Sequence, residues 1–406
     1  MHLRSDKPYS LLRHGLGHVY PSLRKDLKAE VVIIGAGITG ALVGWHLLQK
    51  GIQAVVIDRR HAGMGSTAAS TSLLQYEIDT PLNELIKLVG EKNAVLSYLL
   101  CRQAIYDLHE ICKQIPSKPF FNLHPSFQFA SYNNDVRKME REYLLRKRAG
   151  FNLQLLSVDD ICRLFGFKKP AGLLSADGGL VDAYQLTHAL LKHGQDKGML
   201  VYDNTEVTSI GYDTKGVTLQ TDWGYKIEAK ELVIACGYES QTYLPKKIEK
   251  LHSTYSIISE PLFINEFWHQ NALIWETANP YLYMRASADH RIVVGGKDDP
   301  FYNPARRDAN LPRKMKLLEQ SFGRLFPHIP FRTDFAWAGT FASTRDGLPY
   351  IGTIPERPHT WFALGFGGNG ITFSLIAAQI ISDVLSGKKN ANSRLFDFSR
   401  TAGTKV

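Results

Sequence analysis

Gly35, Gly37 and Gly40 stand at the spacing G-x-G-x-x-G between the apolar run Val31, Val32, Ile33, Ile34 and a segment of helical periodicity. Asp58 closes the next apolar run, Gln53–Ile57, 18 residues beyond Gly40. Residues of these types in this order bind a dinucleotide. The first glycine permits the tight turn, the second lets a pyrophosphate approach the backbone, the third lets helix and strand pack closely, and the acid accepts a ribose hydroxyl. The pyrophosphate is expected at the positive end of the helix.

Three further segments read as ligand-lining. Gly63–Thr71 is a run of small and hydroxylated residues that fits close backbone approach to a ligand. Leu232–Gly237 is an apolar strand that stops at Ala235, Cys236 and Gly237, as a strand does when it delivers its carboxyl end to a crevice in an open α/β sheet. Near the C-terminus a strand over Trp361–Leu364 leads into Gly365-Phe366-Gly367-Gly368-Asn369-Gly370-Ile371-Thr372, which opens a helix to about Ser386. Amides at such a helix start can stabilise developing negative charge on a ligand. Other chemistries find no support: the four cysteines form no CxxC pair, the 14 histidines show no metal-ligand spacing, and no Ser/His/Asp set or carboxylate pair emerges. No metal is expected.

A chain of 406 residues must position these segments with more than one core. The spacing predicts an α/β architecture: a Rossmann-like nucleotide domain, with a mixed or parallel sheet, interleaved with an α+β domain carrying an antiparallel sheet. The expected division is 1–80, 151–245 and 335–406 for the first and 81–150 with 246–334 for the second. Within the latter, 81–150 reads as helical apart from a hairpin around Phe120–Tyr132, and 246–334 reads as alternating strands followed by a charged helix near Arg313–Phe326. The formal charge of +9 is spread along the chain, with only a modest cluster over Arg137–Arg148, which fits a solvated basic face rather than nucleic-acid binding. No segment approaches the roughly 20 apolar residues of a membrane span. The first 28 residues lack an apolar signal core, and a cytoplasmic enzyme is the expectation.

Together the fingerprint, the Gly65-Ser66-Thr67 loop, the Ala235-Cys236-Gly237 strand end and the paired TRDGLPYIG and GFGGNGIT segments resemble the FAD-dependent D-amino-acid oxidase superfamily, which includes glycine oxidase and sarcosine oxidase. The resemblance runs from Tyr20 nearly to the end. It implies that Gly35, Ala36, Gly37, Thr39 and Gly40 cradle the FAD pyrophosphate, with Asp58 and Arg59 at the adenosine ribose. By the same resemblance Ser66 and Thr67 pass the pyrophosphate and flavin, Val207 meets adenine through its backbone, and Ala235, Cys236 and Gly237 flank the adenosine half. Gly367, Gly368, Asn369, Gly370, Ile371 and Thr372 would present amides to the pyrimidine edge of the flavin. Two departures stand out. Gly339 occupies the position, seven before Asp346, where sarcosine-oxidase-like members carry the cysteine that bonds flavin covalently, and this implies non-covalent FAD. Phe341, five before Asp346, replaces the carboxylate-clamping arginine of glycine-oxidase-like members.

Should the substrate be an amino acid, another cation must clamp its carboxylate. Arg285 is the candidate, sharing a strand face with Tyr281 and Tyr283, against the alternative of a structural ion pair; Arg345 is a second candidate, and Tyr255 and Tyr283 are candidate hydrogen-bonding groups of the pocket or else packing residues. The expected function is oxidation of a C–N bond of a small amine or amino acid, by hydride transfer to flavin N5 and hydrolysis of the imine, with oxygen or a carrier as final acceptor. The alternatives are an FAD-dependent dehydrogenase of a hydroxy acid or polyol, and a flavin-carrying binding subunit whose own site is closed by Phe341.

Overall fold

In the computed structural model, which describes residues 1–5, 7–263 and 266–401, the strand Leu27–Ile34 lies between two parallel neighbours, Ala54–Ile57 and Lys226–Ile234. Leu200–Tyr202 extends this parallel array on one side and Arg357–Leu364 on the other. A meander of Val207–Tyr212, Val217–Thr221 and the first half of Lys226–Ile234, together with Tyr350–Ile354, completes an eight-stranded mixed sheet. Val31–Ile34 and Ala54–Ile57 are buried at every position, because helices cover the parallel strands and no face is left for water.

Register decides where the ligand segments meet. Ile34 is opposite both Ile57 and Ile234, and Ile234 is opposite Phe362. Four strands therefore end at nearly one level. Gly35, Asp58, Ala235 and Gly365 leave them along a single sheet edge, the crevice beyond the carboxyl ends of parallel strands.

A second eight-stranded sheet runs in the order Thr333–Ser343, Lys250–Ser259, Ile292–Asp299, Leu282–Ala286, Leu273–Glu276, Ser126–Phe129, Gly172–Ser175, Leu153–Leu156, and is antiparallel except where Leu273–Glu276 meets Ser126–Phe129. The helix Pro304–Leu325 packs Leu318, Phe322 and Leu325 onto one of its faces, against Tyr255, Ile257 and Val294. The opposite face looks toward the crevice.

Three expectations change. The strands Leu153–Leu156, Gly172–Ser175 and Thr333–Ser343 belong to the second sheet, whereas the sequence places 151–175 and 335–343 in the nucleotide domain. Their apolar patterns fit either sheet, and only pairing partners distinguish them. Residues 120–132 form no hairpin: Phe121–Leu123 pairs with Gly178–Val181 in a small third sheet, and Ser126–Phe129 pairs with Leu273–Glu276 and Gly172–Ser175. Only His124 and Pro125 separate the two strands, and proline's fixed negative φ opposes the positive-φ turn that a two-residue hairpin needs. The charged helix starts at Pro304 rather than Arg313; Asn303 caps it by accepting from the Arg306 amide (2.9 Å), and Pro312 lies inside it. Proline at a first turn is favourable, whereas Pro312 reads as a helix breaker and misplaces the start.

Candidate active site

The fingerprint turn is built as its spacing requires. Gly35 has φ +115°, and a Cβ there would lie 2.4 Å from the Ala235 carbonyl oxygen, so glycine alone lets the two strand ends meet. The helix Ile38–Gln49 follows with Gly37, which has no side chain to cap it, at its N-cap. Asp58 is held beneath the turn, accepting from the Ala36 and Arg60 amides, each at 2.8 Å. Burial pushes its carboxyl above the ordinary range. Thr67 Oγ1 accepts from the Ile38 amide (3.0 Å) and so ties the Gly63–Thr71 loop to the helix start.

The second glycine loop arrives at the same place. Thr39 Oγ1 and Ser374 Oγ lie 2.7 Å apart, linking the helix Ile38–Gln49 to the helix Gly370–Leu385. Asn369 Nδ2 donates to the carbonyls of Gln75 (3.1 Å) and Glu77 (2.9 Å), and the Asp79 carboxylate accepts from the Gly368 amide (2.7 Å). The Gly368 amide and the Asn369 amide, which donates to the Phe366 carbonyl (3.2 Å), are thus engaged within the protein rather than offered to a ligand, which corrects the expectation for those two amides. The N-cap residue Asn369 makes no side-chain cap, and first-turn amides such as those of Gly370, Ile371 and Thr372 are without intrahelical partners.

Between these walls lies a long cavity in two parts. The inner part is lined by Gly37, Thr39, Asp58, Arg59, Val207 and the strand end Ala235–Gly237, among others. The outer part lies under the second sheet and is lined by Gln75, Tyr281, Tyr283, Trp337, Phe341 and the loop 367–372. Ser66, Ser70, Tyr238, Gly370 and Ile371 line both. Burial pushes the Cys236 thiol up, which keeps it neutral. Arg59 and Arg60 both pair with Glu239, which also holds the N-terminal ammonium at 3.1 Å.

Three expected substrate residues lie elsewhere, and of these Arg345 lines neither part of the cavity. Arg285 does not line the cavity: its Nε donates to the Thr71 carbonyl (2.5 Å) and Nη1 to that of Ala286 (3.0 Å). It braces the loop that carries Ser70 and Thr71, and burial lowers its pKa to about 10. Tyr255 faces the helix side of the sheet, donating to Asp299 (2.8 Å) beneath Lys314. Strand alternation explains this, since Thr254 and Ser256 take the cavity face and Tyr255 must take the other. Tyr283 does line the cavity, 3.4 Å from Ser256 Oγ.

The sequence reading also missed the amino-terminal arm. The Thr340 amide donates to the Leu3 carbonyl (2.8 Å) and the Ser5 amide to that of Ala338 (2.9 Å), laying residues 1–5 along the edge strand Thr333–Ser343. Met1 and Leu3 thereby reach the inner cavity. Residues with no motif of their own gave no signal of this.

The geometry fits an extended flavin dinucleotide. The Ser66 hydroxyl is buried without a partner at the junction of the two parts, and a Cβ added to Gly65 or Gly370 would meet nothing within 4 Å. Residues 30–384 match the family described as DAO, FAD dependent oxidoreductase, and the chain belongs to that family. It is an FAD-dependent oxidoreductase. The glycine oxidase of Geobacillus kaustophilus (strain HTA426) is 25% identical over 371 residues, covering 89% of this chain and 94% of that protein. The gamma-glutamylputrescine oxidoreductase of Escherichia coli (strain K12) is 24% identical over 389 residues, covering 91% and 86%. Among solved structures, L-proline dehydrogenase from P. horikoshii superposes with a TM-score of 0.77 at 18% identity, covering 94% of this chain and all of that one. Glycine oxidase from Geobacillus kaustophilus gives 0.76 at 20%, covering 94% and 99%. These likenesses show the shared fold.

Among the described residues no helix is long and apolar enough to cross a membrane, and no cluster of side chains suits a metal.

Proposed function

We propose that this chain oxidises the C–N bond of a small amine or amino acid and holds FAD non-covalently. The observation that carries the reading is the outer cavity: small, walled by Tyr283, Trp337 and Phe341, and opening directly onto the uncapped start of the helix Gly370–Leu385. The named activities of the relatives, glycine oxidase and gamma-glutamylputrescine oxidoreductase, support it. Gly339 in the cavity wall supports non-covalent FAD, since no cysteine lines the outer part. The four unpaired thiols fit a cytoplasmic setting.

FAD, when bound, supplies a two-electron acceptor. The chain's own residues then have three tasks. Asp58 and the amides of Gly37, Thr39 and Gly40 would hold the adenosine and pyrophosphate end, since the amides of Gly35, Ala36 and Ile38 are engaged within the protein. The amides of Gly370, Ile371 and Thr372 set the positive end of a 16-residue helix where negative charge develops. Tyr283, Trp337 and Phe341 exclude water and orient the substrate.

Acid precipitation is expected to release the whole flavin into the supernatant. The deciding experiment is anaerobic bleaching of the flavin with panels of amines, amino acids and hydroxy acids. Bleaching by amines or amino acids supports the reading; bleaching by hydroxy acids or polyols alone replaces it with C–O oxidation. A flavin that no small molecule reduces, in protein that co-purifies with a partner, would point to the closed binding subunit.

Tyr283 supplies a further test. Its ring crosses Gly295, where an added Cβ would lie 2.2 Å from its Cζ. Gly295→Ala is expected to push the ring off the strand, raising KM for the reactive substrate about tenfold, equivalent to about 1.4 kcal/mol, while flavin content stays at the wild-type level. An unchanged KM would remove Tyr283 from the pocket.

A further inference from the structure

Asp298 is the one charged side chain lining the outer cavity among the described residues, and no lysine, arginine or histidine lines it. It projects from the strand Ile292–Asp299 toward the cavity, whereas the next residue, Asp299, projects to the other face and pairs with Lys314 at 2.6 Å. The nearby cation is thus committed to Asp299. One carboxylate oxygen of Asp298, Oδ1, is buried without a hydrogen-bond partner, and Thr254 supplies a side-chain hydrogen bond to the carboxyl. Burial, with Asp79 and Asp299 nearby, pushes the group up to about 7 against the opposing effects of Thr254 and Lys314. An unpartnered buried carboxylate oxygen is costly unless a donor reaches it. Phe341 in the same lining offers nothing to an anion.

We propose that Asp298 sets the substrate class, favouring amines that carry a positive charge and no carboxylate, such as alkylamines or diamines, over α-amino acids. The proposal rests on the amine reading above and narrows it. An ammonium group supplies the donor that Oδ1 lacks in a charge-assisted hydrogen bond. Once Asp298 is ionised, above its raised pKa of about 7, a carboxylate in the same space meets a like charge and no clamp, which discriminates by repulsion as well as by attraction.

The test titrates the FAD-loaded enzyme, at about pH 8.5 so that Asp298 is ionised, with butylammonium chloride and with sodium butyrate, matched in length and opposite in charge, following the flavin absorbance. Butylammonium is expected to bind at least about tenfold more tightly than butyrate, and Asp298→Asn to weaken butylammonium about tenfold or more with flavin content unchanged. Asparagine keeps the shape and the Thr254 contact while removing a buried charge, so the variant is expected to fold. Equal or tighter binding of butyrate, unchanged butylammonium affinity in Asp298→Asn, or no response to either ligand would overturn the proposal. Failure of the broader reading is distinguishable: butylammonium would bind in an Asp298-dependent manner, yet no amine or amino acid would bleach the flavin.

Discussion

Arg146→Met is expected to lose about 3–5 kcal/mol of folding stability, the usual cost of removing one partner from a buried ion pair, measured by urea denaturation. Arg146 is 1% exposed and lies 3.0 Å from Glu142 and 3.6 Å from Glu77, with the rings of Tyr76 and Tyr98 beside it. Glu142 in turn accepts from the Leu82 and Asn83 amides (3.2 and 2.6 Å). Methionine fills much of the volume but leaves Glu142, and Glu77 once it ionises, without their cation. The damage reaches the site, because the Glu77 carbonyl holds Asn369 at the base of the second glycine loop. Flavin is therefore expected to dissociate at a lower urea concentration than in wild type.

The same cluster predicts a pH dependence. Burial pushes Glu77 from 4.5 to about 7 against the pull of Arg146. The folded chain thus keeps a proton that the unfolded chain loses, and the contribution of Glu77 to stability falls as pH rises from about 4.5 to about 7. In Arg146→Met the opposing cation is gone, so the decline is expected to extend to higher pH. Stability equal to wild type, or a decline over the same pH range, would show that the cluster is solvated and carries little.

Gly40→Ala is expected to abolish flavin retention, with at least a 100-fold weaker affinity, about 2.7 kcal/mol. The added Cβ would sit 1.8 Å from the Gly35 carbonyl oxygen and 3.3 Å from Ile33 Cγ2. Neither neighbour can yield cheaply. Gly35 is fixed by its amide hydrogen bond to the Ile57 carbonyl (2.8 Å), and Ile33 lies in the centre of the parallel sheet. The helix must move instead, which separates Thr39 from Ser374 and opens the seat between the two helix starts. Flavin absorbance per mole of protein after gel filtration, and fluorescence titration of the apoprotein, measure the loss. Gly323→Ala in the exposed part of the helix Pro304–Leu325 meets no atom within 4 Å and serves as the control. Wild-type flavin content in Gly40→Ala would mean that the fingerprint turn is not the nucleotide seat.

The G-x-G-x-x-G turn, the acid that follows it and the second glycine loop were all legible in the sequence because their chemistry is local. A turn that needs positive φ, a strand that needs unbroken apolar residues and a helix start that needs glycine each announce themselves within about ten positions. The family and its cofactor were legible for the same reason. Sheet membership was not. Leu153–Leu156, Gly172–Ser175 and Thr333–Ser343 are apolar strands whose partners lie far along the chain, and no local pattern says which sheet receives them.

The substrate side shows the same division more sharply. Tyr281, Tyr283 and Arg285 share one strand face by simple alternation, yet only the tertiary structure turns Arg285 into the Thr71 carbonyl and leaves the tyrosines at the cavity. Tyr255 fell on the helix side for a reason alternation contained, once the orientation of the sheet was known. Asp298 carries no motif, and adjacent Asp299 is identical in type. What separates them is which face of the strand meets Lys314 and which meets the cavity. Sequence fixes what each residue can do and which face it shares with its neighbours; the packing of a sheet against one helix and across from another core determines which of those faces meets a ligand, because burial and pairing depend on atoms contributed by distant parts of the chain.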